Sequence, residues 1–269
     1  MRTLAKVGAA LALLATLMTS GFYTFLKAEG ETRPAGKSVD RTLKTETRSV
    51  AATINQLEVS GPIDLKLVQG NTPAMTLRGE QRLLQKITTE TSGTSMTIGY
   101  DGGMFHSNTP LTIEMTLPAL QKLTMKGSGD GHVSGFKGDQ LQLTGTGSGD
   151  LEFKGEYQRV AANLRGSGNL NLVGGNGNSV ELDLIGSGNL NASGQIKTLV
   201  TRLNGSGDID AMALQADTAT VSINGSGNTR VQAKQAINVT LRGSGDVTVK
   251  GNPAQRTINK TGSGDVDFE

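Results

Sequence analysis

The sequence predicts an all-β protein, a single-stranded parallel β-helix (solenoid) with about 20 residues per rung, preceded by irregular β strands and an N-terminal hydrophobic helix. Three observations carry this expectation. A Gly-Ser-Gly-Asp/Asn tetrapeptide recurs eight times at spacings of 18 to 20 residues. Apolar residues alternate with polar ones on both sides of each copy, which is the period of a strand. Glycine is abundant, at 37 of 269 residues against a usual share of roughly 7%, while Trp is absent and Phe and Tyr together number nine, so the core is aliphatic.

The first element is residues 1–27. Arg2 and Lys6 precede an uncharged run from Val7 to Leu26, Ala/Leu-rich up to Met18, and Lys27 follows it. Basic residues before an apolar run mark an export signal. The segment reads either as an uncleaved anchor, since residues 7–26 are just long enough to span a bilayer, or as a signal peptide cut near Thr19-Ser20-Gly21. Both readings place the body outside the cytoplasm, on the periplasmic side of the inner membrane or at the cell surface. Residues 28–41 are polar with Gly and Pro and read as a linker. Residues 42–269 form the β domain, with regular rungs over about 121–269.

The tetrapeptides begin at Gly127, Gly147, Gly166, Gly186, Gly205, Gly225, Gly243 and Gly262. Their second glycines are Gly129, Gly149, Gly168, Gly188, Gly207, Gly227, Gly245 and Gly264. Four and two residues before the first glycine stand pairs such as Leu123/Met125, Leu182/Leu184 and Val239/Leu241. Four and six residues after it stand Leu151/Phe153, Leu170/Leu172 and Val247/Val249. A unit of this length is too short to hold strand, crossover helix and strand, so like pairs with like in stacked coils. Eight residues after the first glycine stand Gly135, Gly155, Gly174, Gly194, Ala213, Ala233 and Gly251, which reads as a second tight corner.

The sixteen glycines are read as structural turns, because glycine takes positive φ where the coil reverses and Asp or Asn can bond local backbone there. The column Asp130, Asp150, Asn169, Asn189, Asp208, Asn228, Asp246, Asp265 leaves a divalent ion between Asp130 and Asp150, or between Asp246 and Asp265, as the minor alternative. The motif is not a phosphate cradle, since no helix follows it. Asn204 and Asn224 lie in Asn-Gly-Ser sequons that the repeat composition itself explains.

Other chemistry is sparse. There is no cysteine, hence no disulfide, thiolate metal site or lipoprotein attachment. His106, in a Gly-rich loop, and His132, outward on the first rung, read as surface residues. Arg2, Lys6 and Lys27 account for three of the 26 basic groups, so the remainder carries 23 basic against 24 acidic groups, which gives no electrostatic case for nucleic acid. No cofactor is expected. A glycan-processing β-helix enzyme using outward acids such as Glu152 and Asp210 is the second function class, but nothing in the sequence concentrates them.

Upstream of the repeats run Thr45-Glu46-Thr47-Arg48-Ser49-Val50 and Leu57 to Gly70, then Gln81 to Ile87 and Pro110 to Leu120. This order, leading into Gly-Ser-Gly rungs, resembles the head GIN domain family of auto-transporter adhesins from about Thr45 onward. The resemblance implies a bacterial, exported β-helix-like domain and supplies no catalytic residues. No membrane barrel of many roughly ten-residue strands follows the repeats, so self-export is not expected. The composite expectation is an envelope-associated interaction, adhesin-like or scaffold module, with an envelope protein or surface glycan as partner. The chain finishes Gly264-Asp265-Val266-Asp267-Phe268-Glu269, whose three acids repel an identical end, so a monomer is expected.

Overall fold

The computed structural model describes residues 41–103, 107 and 109–269. The predicted anchor or signal peptide, the linker up to residue 40 and His106 lie outside the described residues. The chain divides into two units, Met1–Asp40 and Arg41–Glu269.

Alternating apolar and polar residues around fixed glycines produce long bent strands that pair in parallel. They are β8 (Lys122–Gly127), β9 (Gly131–Gly147), β10 (Leu151–Gly166), β11 (Asn169–Gly186), β12 (Asn189–Gly205), β13 (Asp208–Gly225) and β14 (Thr229–Gly243). The last coils are divided into β15 (Val247–Lys250), β16 (Gln255–Gly262) and β17 (Val266–Phe268). The register places Gly127, Gly147, Gly166, Gly186, Gly205, Gly225, Gly243 and Gly262 side by side in one column. Every rung is therefore aligned on its turn.

The rungs nevertheless differ in length, and the difference is taken up at the opposite corner. Register shifts fall between Gly155 and Arg159, Val173 and Asn176, Asn191 and Ser193, and Ala211 and Gln215. Consequently the small-residue column expected eight positions after each turn is only partly a stack: Gly155 pairs with Gly174, but Ala213 pairs with Ser193 rather than Gly194. A bulge absorbs an extra residue locally without disturbing the ladder beyond it.

The stretch before the repeats is more regular than its sequence suggests. Strands β2 (Gln56–Gly61) and β3 (Ile63–Gln69) form a coil of the same kind, with Gly61 paired to Gly127 and Leu65 to Gly131. A further coil, β6 (Ser95–Tyr100) and β7 (Leu111–Leu117), lies on its other side, since β2 also pairs with β6 and β3 with β7 in parallel. Antiparallel strands then finish the stack: β5 (Ile87–Ser92) on β6, β4 (Ala74–Glu80) on β7, and β1 (Leu43–Arg48) on β4. The chain thus lays down β2 and β3, runs out to build the cap, and returns to start the repeats. β1 carries Lys44, Glu46 and Arg48, charges of the kind that discourage further strand pairing.

A short helix, α1 (Gln81–Leu84), follows β4 and buries Leu83 and Leu84 in the core. Beside it Glu80, only 2% exposed, accepts hydrogen bonds from Ser107 Oγ at 2.8 Å and Arg82 Nε at 2.7 Å. The Ser107 bond and then the Arg82 guanidinium hold its carboxyl below the usual carboxylate range, so its contribution to the cap persists at neutral pH and is lost as pH falls through that lowered value.

Inward columns from both limbs form one aliphatic core. Leu182, Leu184, Val239 and Leu241 on one side and Leu170, Leu190, Val247 and Val249 on the other are completely buried. Thr201 and Thr229 interrupt this layer, and each buries a hydroxyl without a hydrogen-bond partner.

Two outcomes follow for stability. Leu184→Ala should cost about 2–5 kcal/mol through lost burial and a cavity, whereas Asp183→Ala, which removes a partly exposed bond to Arg202, should cost less than about 1 kcal/mol; equal urea midpoints would contradict the inward register. Thr229→Val, of nearly the same shape, should raise stability by about 1 kcal/mol because it removes an unpaired buried hydroxyl, and a loss of stability in the same urea titration would show that the hydroxyl is satisfied.

Candidate functional site

The Gly-Ser-Gly turn column is the feature the sequence singles out. The first glycine of all eight copies has φ between 118° and 146°, a region strained for residues with a Cβ. The second glycine is required for another reason. A Cβ built on Gly149, Gly168, Gly188, Gly207, Gly227, Gly245 or Gly264 would fall on the carbonyl oxygen of the corresponding glycine one rung earlier. The Ser N–H between them donates to the first glycine's carbonyl of the preceding rung at 2.9–3.0 Å, as in Ser187 to Gly166 and Ser206 to Gly186.

The Asp/Asn column completes this turn. Asp130 Oδ1 accepts from the Asp150 backbone N–H at 2.8 Å, and Asp150 Oδ1 accepts from both the backbone N–H and the Nδ2 of Asn169, at 2.8 and 2.9 Å. Asp246 Oδ1 accepts from the Asp265 N–H at 2.8 Å, and Asp265 itself meets Lys260 Nζ at 2.7 Å. The structure brings Asp130 next to Asp150 and Asp246 next to Asp265, but as separate pairs, in which Oδ1 of Asp130, Asp150 and Asp246 is engaged by backbone and that of Asp265 by Lys260. Among the described residues no group of three or more His, Cys, Asp or Glu is placed to hold a metal. A member of the column that the sequence concealed is Asp64, whose Oδ1 accepts from the Asp130 N–H at 3.0 Å. Its turn reads Gly61-Pro62-Ile63-Asp64, so the flanking Gly and Asp survive while the middle residues do not.

The outward faces repeat this pairing from rung to rung. Asn171 and Asn191 are joined at 2.7 Å, Gln195 and Gln215 at 3.2 Å, and Asn204 and Asn224 at 3.3 Å. The outward acids are similarly occupied. Glu152 lies 3.7 Å from His132, and Asp210 accepts from Arg230 at 3.1 Å. They are not neighbours, for Asn171 and Asn191 stand between them in the column.

The surface of the first rungs is shaped differently. A groove of about 990 Å³ runs across the first rungs. Its floor includes the hydrogen-bonded neighbours Gln56, Lys122, Gln142, Ala161 and Glu181, one from each successive coil. A second row, Gln140, Arg159 and Ser179, lies beside it. With the Gln140 amide oriented so that its oxygen faces Arg159, that oxygen accepts from Nε and Nη2 at 2.9 Å. Glu181 is paired with Arg202, and Lys137 on the rim with Glu156 at 3.0 Å. The side chains of Gln56, Lys122 and Gln142 make no hydrogen bond among the described residues, because a lysine between two glutamines breaks the amide ladder.

The wall at 119–121 is fixed by Tyr157. Its hydroxyl donates to the Leu120 carbonyl at 2.5 Å, and its ring stands 5.9 Å from that of Phe153. Burial pushes the Tyr157 phenol up to about 12.

A capped parallel β-solenoid with laddered polar faces is the class of protein defined here. The comparisons agree. Residues 54–180 and 163–253 match the family described as "Putative auto-transporter adhesin, head GIN domain", and the chain belongs to that family. Among solved structures, a putative adhesin from Parabacteroides merdae ATCC 43184 shares 19% identity with a TM-score of 0.77, covering 85% of this chain and 96% of its own. A putative adhesin from Parabacteroides distasonis ATCC 8503 shares 22% at a TM-score of 0.75, covering 86% and 98%. A putative lipid binding protein from the same strain shares 23% at 0.73, covering 85% and 97%. At these identities the likeness is one of fold. No protein of curated function matches the sequence significantly.

Because the phenol is raised above its ordinary value, the stability it contributes is complete below about pH 10 and is lost as pH rises toward about 12. An absorbance titration of the full chain should show a late phenol ionisation, and Tyr157→Phe should remove that late step; a late step undiminished by the substitution would contradict the assignment.

Proposed function

We propose that the chain is a non-catalytic, adhesin-like interaction module of the bacterial envelope, kept outside the cytoplasm by its N-terminal segment, with an envelope protein or surface glycan as partner. The observation that carries this reading is the ordering of the outward face, where ladders such as Asn171–Asn191 and Asn204–Asn224 fix polar groups in straight rows. Groups already held in place lose little conformational freedom on binding, which favours recognition of an extended surface. Family membership supports the adhesin-like role. The acids an enzyme reading needs, Glu152 and Asp210, stand apart and each faces a basic side chain.

The test uses the full chain, fluorescently labelled, on isolated envelopes of the producing bacterium. Saturable binding without release of soluble sugar or peptide above a blank is the expected result. Absence of saturable binding, or steady release of fragments, would overturn the proposal.

A further inference from the structure

We infer that the groove across the first rungs binds an uncharged, linear, hydroxyl-rich polysaccharide laid along the stacking axis of the solenoid. The inference rests on the reading of the chain as an interaction module and names the ligand class of its groove.

The lining argues for hydroxyl groups. Gln56 and Gln142 each present a planar amide, donor and acceptor together, with no partner among the described residues, and Ser179 adds a hydroxyl in the adjoining row. In the rows Asn171–Asn191 and Gln195–Gln215 the amides satisfy one another, whereas here Lys122 separates them. Unpaired amides in a concave site match ligands that offer a donor and an acceptor from the same group, as sugar hydroxyls do.

Charge argues against a polyanion. Lys137 is paired with Glu156, Glu181 with Arg202, and Arg159 is engaged by Gln140. Beyond these ion pairs the lining holds Lys122 and Arg159 against Asp139, a single excess positive charge spread along the groove, too little to bind a chain that carries a negative charge on every unit.

Spacing argues against a peptide. The floor residues repeat once per rung, about 4.8 Å, which a linked pyranose nearly matches, while an extended peptide advances about 3.3 Å per residue and drifts out of step. Strand addition is also unavailable, because the backbone around Lys122, Gln142 and Ala161 is already paired in parallel ladders on both sides.

The groove offers no open ring for stacking, since Tyr157 is buried and its hydroxyl is tied to Leu120. Binding therefore depends on many modest hydrogen bonds, and affinity should grow with chain length until the groove is filled.

The experiment is calorimetric titration of the full chain, in a detergent without a sugar headgroup, with β-1,4-linked glucose oligomers from disaccharide to octasaccharide. Affinity should rise with length and then level off. Gln142→Ala should weaken binding of the longest oligomer about tenfold, the equivalent of one hydrogen bond to an otherwise unpaired amide. Gln142→Glu, which keeps the size and adds charge, should weaken it too, and Asn259→Ala, exposed on β16 outside the groove, should not. No binding at any length, equal affinity for short and long oligomers, indifference to both Gln142 variants, or binding to an acidic polysaccharide alone would overturn the inference. Envelope binding that persists in Gln142→Ala would overturn the glycan assignment and leave the module reading standing, whereas absence of envelope binding by the unmodified chain would remove the module reading itself.

Discussion

The contact on which this structure depends is the close stacking of backbone at the Gly-Ser-Gly turns. From one rung to the next, the carbonyl oxygen of the second glycine occupies the volume that a Cβ on the following second glycine would need. The first glycine of each pair meanwhile holds a positive φ, which turns the chain sharply enough for the Ser N–H to reach the rung below. Two glycines at fixed spacing thus serve two separate requirements, conformation at one and clearance at the other. The Asp or Asn that follows supplies the third component, bonding the backbone of its successor.

Fixing the register at one corner has consequences for the whole coil. Inward leucines and valines stack in columns because every rung starts from the same point, and the outward amides fall into ladders for the same reason. Differences in rung length are exported to the opposite corner, where bulges accept them. That corner is also where Tyr157 and the wall at 119–121 stand, so the groove across the first rungs lies where the coil is least uniform. A regular scaffold with irregularity confined to one edge can vary a binding site without disturbing its core.

The repeat region was legible in the sequence because its forces are local and periodic. Leu182, Leu184, Leu170 and Leu172 could be assigned inward from alternation about a glycine, and the structure buries them. The cap was less legible, since β2 and β3 take their places between coils that come later in the chain, and pairing of that kind leaves no periodic trace. Asp64 was hidden because Pro62 and Ile63 replace the Ser and Gly of its turn. The groove could not be read at all. Gln56, Lys122 and Gln142 become neighbours only through register between separate strands, and Tyr157 reaches a carbonyl 37 positions upstream. The expected small-residue column at the second corner failed in part because strand length, rather than residue size, governs packing there.

The central claim is that rung stacking requires a bare α-carbon at the second glycine. It is tested most directly by urea unfolding of Gly188→Ala beside Ser187→Ala. An alanine in an ordinary extended position stabilises by about 0.4–1 kcal/mol through the unfolded chain, so the sign of the change is diagnostic. Gly188→Ala should be destabilised by about 1–3 kcal/mol or more as the Gly168 carbonyl is forced away, while Ser187→Ala should stay within about 0.5 kcal/mol of the unmodified chain. A Gly188→Ala protein as stable as the unmodified chain, or more so, would contradict the account.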